Sequence, residues 1–303
     1  MQLHTSIAEF LLQARADGRS PHTVEQYQRH LAWLQHALGA QRSVATLKPN
    51  DFARALAAMA RAPVAGRSSP RRATTLNALR STVRTFGRFL ADAGYCAQDP
   101  ARLIRRARGA SSPPRSLSED QCARFRATLA QASAPAEQRD AVLFELLLST
   151  GVRLTSALRA DVADVDFERE TLLLRHTKGS RPQRVVLTHA MTERLRAFAG
   201  RREHGPLFVA SGGHAMSARQ AQRSLRRWLD RAGIETAASP HALRHTFAMH
   251  LYEASRDLEL VRAALGHRSI SSTAIYASIA EPSLRACLEK RAALVADDHM
   301  IRE

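Results

Sequence analysis

Lysine and cysteine are scarce in this sequence, and long apolar runs are absent. Only three of the 45 basic residues are lysines, so each lysine is an exception that needs a reason. Those three are Lys48, Lys178 and Lys290. The three cysteines lie far apart and form no C-x-x-C pair, which argues against a disulfide framework and against a zinc site. No apolar run approaches the ~20 residues of a membrane span, and the polar N-terminus lacks the layout of a signal peptide, so we expect an intracellular protein with no membrane partner.

Positive charge dominates the 303 residues, with a formal net charge of +17. Residues 1–112 contain 17 Arg and Lys against 6 Asp and Glu, a net of +11, whereas the rest of the chain contains 28 against 22, a net of +6. An excess of this size favours a polyanionic partner. The chain length suits two domains of ordinary size. The sequence therefore predicts a two-part protein whose N-terminal third is the more basic.

Apolar spacing and Ser-Pro or Lys-Pro starts predict four helices in the first 105 residues, at about 5–16, 21–38, 49–61 and 70–93. One face of the fourth helix carries a core stripe, and another carries Arg80, Arg84 and Arg88 at intervals of four residues. We call this second face the basic ridge. Few acidic neighbours balance it, which leaves it available for phosphates, although a solvated charged face is the alternative interpretation.

Residues 106–116, RARGASSPPRS, have the composition of a linker. Beyond it, two β-prone runs at 171–176 and 183–188 flank a Lys-Gly pair, which predicts a β-hairpin with Lys178 near its tip. A lysine at a hairpin tip is ordinarily a solvated charge. Helices are also predicted at four further places, namely from Ser118, over 141–148, around 190–200 and around 218–232.

A further helix is predicted to begin at Ser239-Pro240, with the Ser239 side chain able to cap it. At 100° per residue, His241, Arg244 and His245 share one face of this helix, while apolar residues form a core stripe on another. The polar face lies near the helix N-terminus, where an anion such as phosphate is favoured. An exposed basic face is the alternative.

A second helix, at about 258–265, is predicted to stop at Gly266, and His267 and Tyr276 follow it. Together, the segment HALRHTFA at 241–248, the segment LGH ending at His267, and a tyrosine nine residues later resemble the catalytic region of the tyrosine recombinases. These proteins are also called phage-integrase-like recombinases. The resemblance is to the Xer-like two-domain branch of that family.

The resemblance implies a mainly α fold in two domains. An all-helical core-binding domain that grips DNA would occupy residues 1–105, and residues 106–116 would be the linker. A mixed α+β catalytic domain with a small β-hairpin or sheet would occupy 117–303. The basic ridge would then contact DNA.

The resemblance also implies a catalytic site. This site would include the T-G-x-R motif that ends at Arg153 and the lysine of the hairpin. The expected catalytic residues are Arg153, Lys178, His241, Arg244, His267 and Tyr276. Ser156 stands where the family usually has Glu, so its support of nearby groups is limited to neutral hydrogen bonding. We expect Ser156 and His245 to support the catalytic groups rather than contact the phosphate.

The residue types suit phosphodiester chemistry. Two guanidiniums, Arg153 and Arg244, can bind non-bridging oxygens and stabilise the charge that grows in the transition state. A histidine suits proton exchange near neutral pH, so His241 is the candidate general base or proton relay. His267 would donate to a phosphate oxygen, and Tyr276 would attack to form a phosphotyrosine.

The expected substrate is double-stranded DNA with a specific site, recombined through a Holliday junction by a homotetramer or a pair of related recombinases. A C-terminal helix over 282–295 would pack on its own domain or dock into a neighbouring subunit. We expect no cofactor, neither metal nor ATP, and a cytoplasmic, nucleoid-associated protein. The alternatives are a DNA-binding protein with impaired catalysis and, with less support, a metal-dependent nuclease or transposase. The acidic run Asp161, Asp164 and Asp166 is predicted to be a solvated turn rather than a metal site.

Overall fold

The computed structural model describes residues 1–62, 73–105, 116–175, 182–235 and 239–266. The chain divides into two compact units, residues 1–111 and 112–303. Helices make up most of the described residues of each unit, and a small antiparallel sheet belongs to the second. The mainly helical fold class that the sequence predicts is therefore confirmed. Among the described residues, no helix is both long enough and apolar enough to cross a membrane.

Four α-helices are found among the described residues of the first unit. They are α1 (Leu3–Ala16), α2 (Pro21–Leu38), α3 (Pro49–Arg61) and α4 (Ala73–Asp92). The start of α2 follows from its sequence, since the Ser20 hydroxyl accepts a hydrogen bond from the Thr23 N–H at 3.2 Å and Pro21 occupies the first helical position. The predicted bounds of the first three helices agree with the structure to within two residues. The predicted start of the fourth, at residue 70, lies outside the described residues.

Aromatic rings of α1 and α4 pack against each other in the core of the first unit. The rings of Phe10 and Phe86 meet edge to face, with 5.5 Å between their centroids, and both are buried. Gly87 lets α4 approach the turn at Ala101 closely, because a Cβ on this glycine would lie 2.5 Å from the Ala101 Cβ. The buried residues of α4, which include Val83, Phe86 and Leu90, lie on a different face from the exposed Arg84 and Arg88 of the basic ridge.

The second unit contains seven helices among its described residues, together with a three-stranded sheet. They are α5 (Glu119–Leu129), α6 (Pro135–Thr150), α7 (Leu154–Ala157), α8 (His189–Ala199), α9 (Ala218–Arg231), α10 (Pro240–Ser255) and α11 (Leu258–Leu265). The strands are β1 (Val165–Asp166), β2 (Thr171–Leu174) and β3 (Gln183–Val186), paired antiparallel in the order β1-β2-β3.

Helix α6 is the centre of the second unit, buried around nearly its whole circumference and packed against α5, α8, α9 and α10. It begins at Pro135, six residues before the predicted start. Its first turn is mostly exposed, and the first buried residues, Arg139 and Asp140, are charged. Arg139 donates to the Asp140 carboxylate at 2.7 Å, and the Ser224 hydroxyl of α9 donates to the same carboxylate. These partners satisfy the buried charges, so apolar spacing alone missed this part of the helix.

The acidic run forms a turn, as the sequence predicts, but one of its carboxylates is not solvated. Asp164 is only 5% exposed; it accepts a hydrogen bond from the Asp161 N–H at 3.0 Å and pairs with Arg175. Asp161 accepts from the N–H groups of Ala163 and Gly205, each at 3.0 Å. The carboxylates of Asp161 and Asp164 are thus occupied in holding the turn that leads into β1.

Candidate active site

Arg153 follows the end of α6, where Gly151 closes the helix and leaves little room for a side chain. Gly151 has a φ of +63°, and a Cβ there would lie 2.3 Å from Cδ1 of Phe247 and 3.0 Å from Cδ2 of Leu265. The left-handed backbone closes α6, and the missing side chain lets this turn pack directly against α10 and α11. Arg153 follows two residues later, half-buried at the start of α7, and burial lowers the pKa of its guanidinium.

Arg244 connects this turn to the end of α11. Its guanidinium donates one hydrogen bond to the Gly151 carbonyl and another, at 2.7 Å, to the Leu265 carbonyl. The residue is only 6% exposed. The sequence placed Arg244 on a polar face that includes His241, but it did not indicate that the guanidinium turns inward to two backbone carbonyls. Through these bonds, three segments that lie far apart in the sequence meet at one point.

Two of the three histidines of α10, His241 and His245, lie close enough to the site arginines for positive charge to lower their pKa values. His241 is exposed on the first turn, yet partial desolvation lowers its pKa, and the charges of Arg244 and Arg153 lower it further. Desolvation likewise lowers the pKa of half-buried His245, with smaller contributions from His241 and Arg244. Both rings are therefore held in the neutral form near pH 7, which is the form that can accept a proton.

The first turn of α10 departs from the sequence expectation in one respect. The helix begins at Pro240 with Ser239 at its N-cap, as predicted, but the Ser239 side chain makes no capping hydrogen bond. Thr246, farther along the helix, accepts a hydrogen bond from the Leu117 N–H at 2.8 Å and so fastens the start of the unit to α10. No motif in the sequence pointed to this contact.

Helix α11 ends at the segment that leads to His267. Gly266 has a φ of +62°, as the sequence predicts for a helix stop. The Ala264 carbonyl accepts a hydrogen bond at 3.2 Å from Nε2 of Gln183, the first residue of β3. Sequence reasoning missed Gln183, because a single glutamine at the start of a strand carries no signal of a distant contact.

The described residues account for part of the predicted site. Arg153, His241, Arg244 and His245 come together around the ends of α6 and α11. Ser156 is buried one turn into α7, where its N–H donates to the Arg153 carbonyl at 2.9 Å. The remaining predicted catalytic residues lie outside the described residues, and they are Lys178, His267 and Tyr276.

The basic ridge lies on the outer face of α4. Arg84 and Arg88 are exposed, while Arg80 is half-buried and donates to the Asn77 side chain at 3.3 Å. Within the described part of the chain, none of the three forms an ion pair with a carboxylate. The ridge thus presents positive charge that no described acidic residue neutralises.

Family models match both units of the chain. Residues 115–282 match the phage integrase family, and residues 7–94 match the phage integrase N-terminal SAM-like domain. The chain belongs to the phage integrase family. Members of this family of tyrosine recombinases are DNA strand-transferring enzymes, and the function of this chain is site-specific DNA recombination.

Curated relatives of this phage integrase family member carry Xer names. The tyrosine recombinase XerC of Chromobacterium violaceum is 30% identical over 278 residues, which cover 90% of each protein. The tyrosine recombinase XerC of Azotobacter vinelandii is 32% identical, with 85% of each protein covered. The Xer-like resemblance stated from the sequence is therefore confirmed.

Solved structures show the same fold at lower identity. XerH site-specific recombinase bound to a palindromic difH substrate superimposes with a TM-score of 0.72 at 20% identity, covering 94% of this chain and 84% of that one. A lambda integrase dimer bound to a COC′ core site gives a TM-score of 0.71 at 17% identity, covering 90% of this chain and 97% of that one.

Proposed function

We propose that this recombinase cleaves and rejoins DNA through a 3′-phosphotyrosine at Tyr276. The observation that carries the proposal is the pair of hydrogen bonds from Arg244 to the Gly151 and Leu265 carbonyls. These bonds hold the segment that ends in Arg153 next to the turn that precedes His267. Arg244 therefore connects the sequence motifs around these residues, which resemble those of tyrosine recombinases.

The proposed chemistry is a displacement at phosphorus. The Tyr276 oxygen forms a bond to the scissile phosphorus, its proton passes to neutral His241, and the bond to the 5′ oxygen breaks as Lys178 gives that oxygen a proton. Arg153 and Arg244 stabilise the negative charge that develops on the non-bridging oxygens, an effect typically worth a factor of ~10² to 10³ for one donor. Attack by a 5′ hydroxyl on the phosphotyrosine reverses these steps and reseals a strand.

The proposal assigns DNA gripping to the helical domain over residues 1–105 and chemistry to residues 117–303. The exposed basic ridge supports the first assignment, since unneutralised arginines suit contacts with phosphates. Relatives bound to DNA substrates, one of them as a dimer, support assembly on DNA. We infer stepwise exchange through a Holliday junction by a tetramer in the cytoplasm, associated with the nucleoid, with the C-terminal helix docking in trans. The reaction would need neither ATP nor metal.

The test uses a duplex that the purified chain selects from a random-sequence pool, with a nick placed next to the scissile phosphate to trap the adduct. The wild-type chain should form a covalent adduct in EDTA, and peptide mapping should locate it at Tyr276. Tyr276→Phe should bind the duplex with unchanged affinity and form no adduct. An adduct that maps to Tyr252, or cleavage that returns only with added metal, would contradict the proposal.

A further inference from the structure

Gln183 occupies the base of the β2–β3 hairpin. It is the first residue of β3 and pairs in register with Leu174, the last residue of β2. The connection between these strands, residues 175–182, contains Lys178 in the sequence. Gln183 is therefore the point from which the lysine-bearing connection leaves the sheet on its β3 side.

The side chain of Gln183 reaches out of the sheet to the last turn of α11. Its Nε2 donates to the Ala264 carbonyl at 3.2 Å. The amide also lies against the backbone of Gly266, since a Cβ there would be 2.4 Å from Oε1, 2.7 Å from Cδ and 2.9 Å from Nε2 of Gln183. Glycine suits position 266 for two reasons: its φ of +62° disfavours a side chain, and a Cβ there would displace the Gln183 amide.

The last turn of α11 receives side-chain donors from two directions. The final carbonyls of a helix lack partners within the helix, so they must find them elsewhere. Here the Ala264 carbonyl takes the Gln183 amide, and the next carbonyl, of Leu265, takes the Arg244 guanidinium at 2.7 Å. Because Arg244 also bonds the Gly151 carbonyl, hydrogen bonds joined by the backbone of Ala264 and Leu265 link the hairpin base to the segment that ends in Arg153.

We propose that Gln183 is a positioning residue that fixes the lysine-bearing hairpin relative to the α11 turn that precedes His267. Gln183 does not contact substrate in this proposal. Its hydrogen bond and its packing on Gly266 set where the hairpin leaves the sheet, and hence where the Lys178 proton donor is presented. The proposal rests on the proposed function, in which Lys178 protonates the 5′ oxygen.

The test compares single-turnover cleavage of two nicked duplexes that carry the selected site. One has a normal phosphodiester, and the other has sulfur in place of the bridging 5′ oxygen, so that the leaving group departs as a thiolate and needs no proton. Gln183→Ala should bind DNA normally and lose roughly tenfold to a hundredfold in rate on the oxygen substrate, the scale of a misplaced catalytic group. On the sulfur substrate its rate should lie within about threefold of wild type. A role confined to stability would lower both rates together.

Three further variants make the comparison specific. Gln183→Glu keeps the size of the side chain but removes the donor and adds negative charge at a helix C-terminus, so it should show the same selectivity for sulfur. Val186→Ala changes the same strand at a side chain that is 78% exposed and should leave both rates unchanged. Lys178→Ala provides the reference for complete loss of the proton donor.

A double-mutant cycle tests the contact itself. Gly266→Ala should displace the Gln183 amide, so its loss of rate on the oxygen substrate should shrink when Gln183→Ala is already present. Additive losses would mean that the two residues act independently and would overturn the proposal.

The outcomes separate this inference from the proposed function. If the wild-type chain forms no tyrosine adduct, the proposed function fails and takes the inference with it. If Lys178→Ala recovers on sulfur but Gln183→Ala is equally slow on both substrates, the function stands and Gln183 is not a positioning residue. If Lys178→Ala does not recover on sulfur, Lys178 is not the proton donor and the inference fails.

Discussion

Gly151→Ala is the substitution whose cost the structure defines best. The left-handed backbone at this position costs an alanine about 1–2 kcal/mol. The new Cβ would also lie 2.3 Å from the Phe247 ring and 3.0 Å from Leu265, an overlap that forces repacking. Overpacking of this kind typically costs about 1–3 kcal/mol more. We therefore expect Gly151→Ala to lower the free energy of unfolding of the second unit by about 2–5 kcal/mol.

The same unit offers a matched control in Gly233→Ala. Gly233 also has a positive φ, +64°, but the closest atom to its Cβ position is Nη1 of Arg124 at 3.5 Å. This variant should carry the backbone cost of about 1–2 kcal/mol without the overlap. The difference between the two variants thus measures the close approach of α10 and α11 to the end of α6.

Urea unfolding, followed by Trp228 fluorescence in a Trp33→Phe background, measures both variants. Trp228 is buried in the core of the second unit, so its emission reports that unit. The midpoints should fall in the order wild type, Gly233→Ala, Gly151→Ala, at unchanged m-value. Equal losses for the two alanine variants would refute the argument that Gly151 is required by packing.

The remaining predictions concern the cations of the proposed mechanism. Replacing the three arginines of the basic ridge with alanine should lower the slope of log K against log salt by up to ~0.9 for each phosphate that is no longer bound, measured by DNA titration, and an unchanged slope would make the ridge a solvated face. Lys178→Arg keeps the charge but cannot release a proton, so its cleavage should recover on the sulfur-bridged duplex whereas that of Arg153→Ala stays slow on both duplexes. Arg244→Ala should lower the thermal midpoint as well as the rate, because it leaves two backbone carbonyls without their donor, at about 1–3 kcal/mol each if they stay unsatisfied. An unchanged midpoint would show that water replaces the guanidinium.

The sequence predicted the helices well where a capping signal and an apolar period coincide. Helix α2 illustrates this, since Ser20 and Pro21 mark its start and Val24, Leu31 and Leu34 form its buried face. The start of α6 was missed because its first turn has no buried apolar residue, and the buried Asp140 that follows is paired with Ser224 of a distant helix. Strand β1 was missed because two residues are too few to show a period.

The candidate site, like the fold, was predicted from the sequence only in part. Helical spacing placed His241 and Arg244 on one face, and in the structure the charge of Arg244 lowers the pKa of His241, although Arg244 is buried and His241 is exposed. Spacing could not reveal that Arg244 is buried against two carbonyls, or that Gln183 reaches α11, because both contacts join segments that are distant in sequence. These are tertiary contacts. The sequence near a glutamine or a backbone carbonyl does not indicate which distant segment it will contact.

The lowered histidine pKa values make stability and DNA binding depend on pH. The folded pKa values of His241 and His245 lie below the ordinary value of about 6.5, so the unfolded chain binds more protons as the pH falls below that value. The stability that these rings contribute is therefore complete above about pH 6.5 and is lost as the pH falls toward the folded pKa values.

A DNA phosphate held by Arg153 and Arg244 would offset the positive field that lowers the pKa of His241, so this pKa should rise on DNA. NMR titration of the imidazole in Tyr276→Phe, free and on the selected duplex, measures the change. The proposed general base would thus become more basic only when substrate is bound, and a pKa that stays the same or falls on DNA would contradict this.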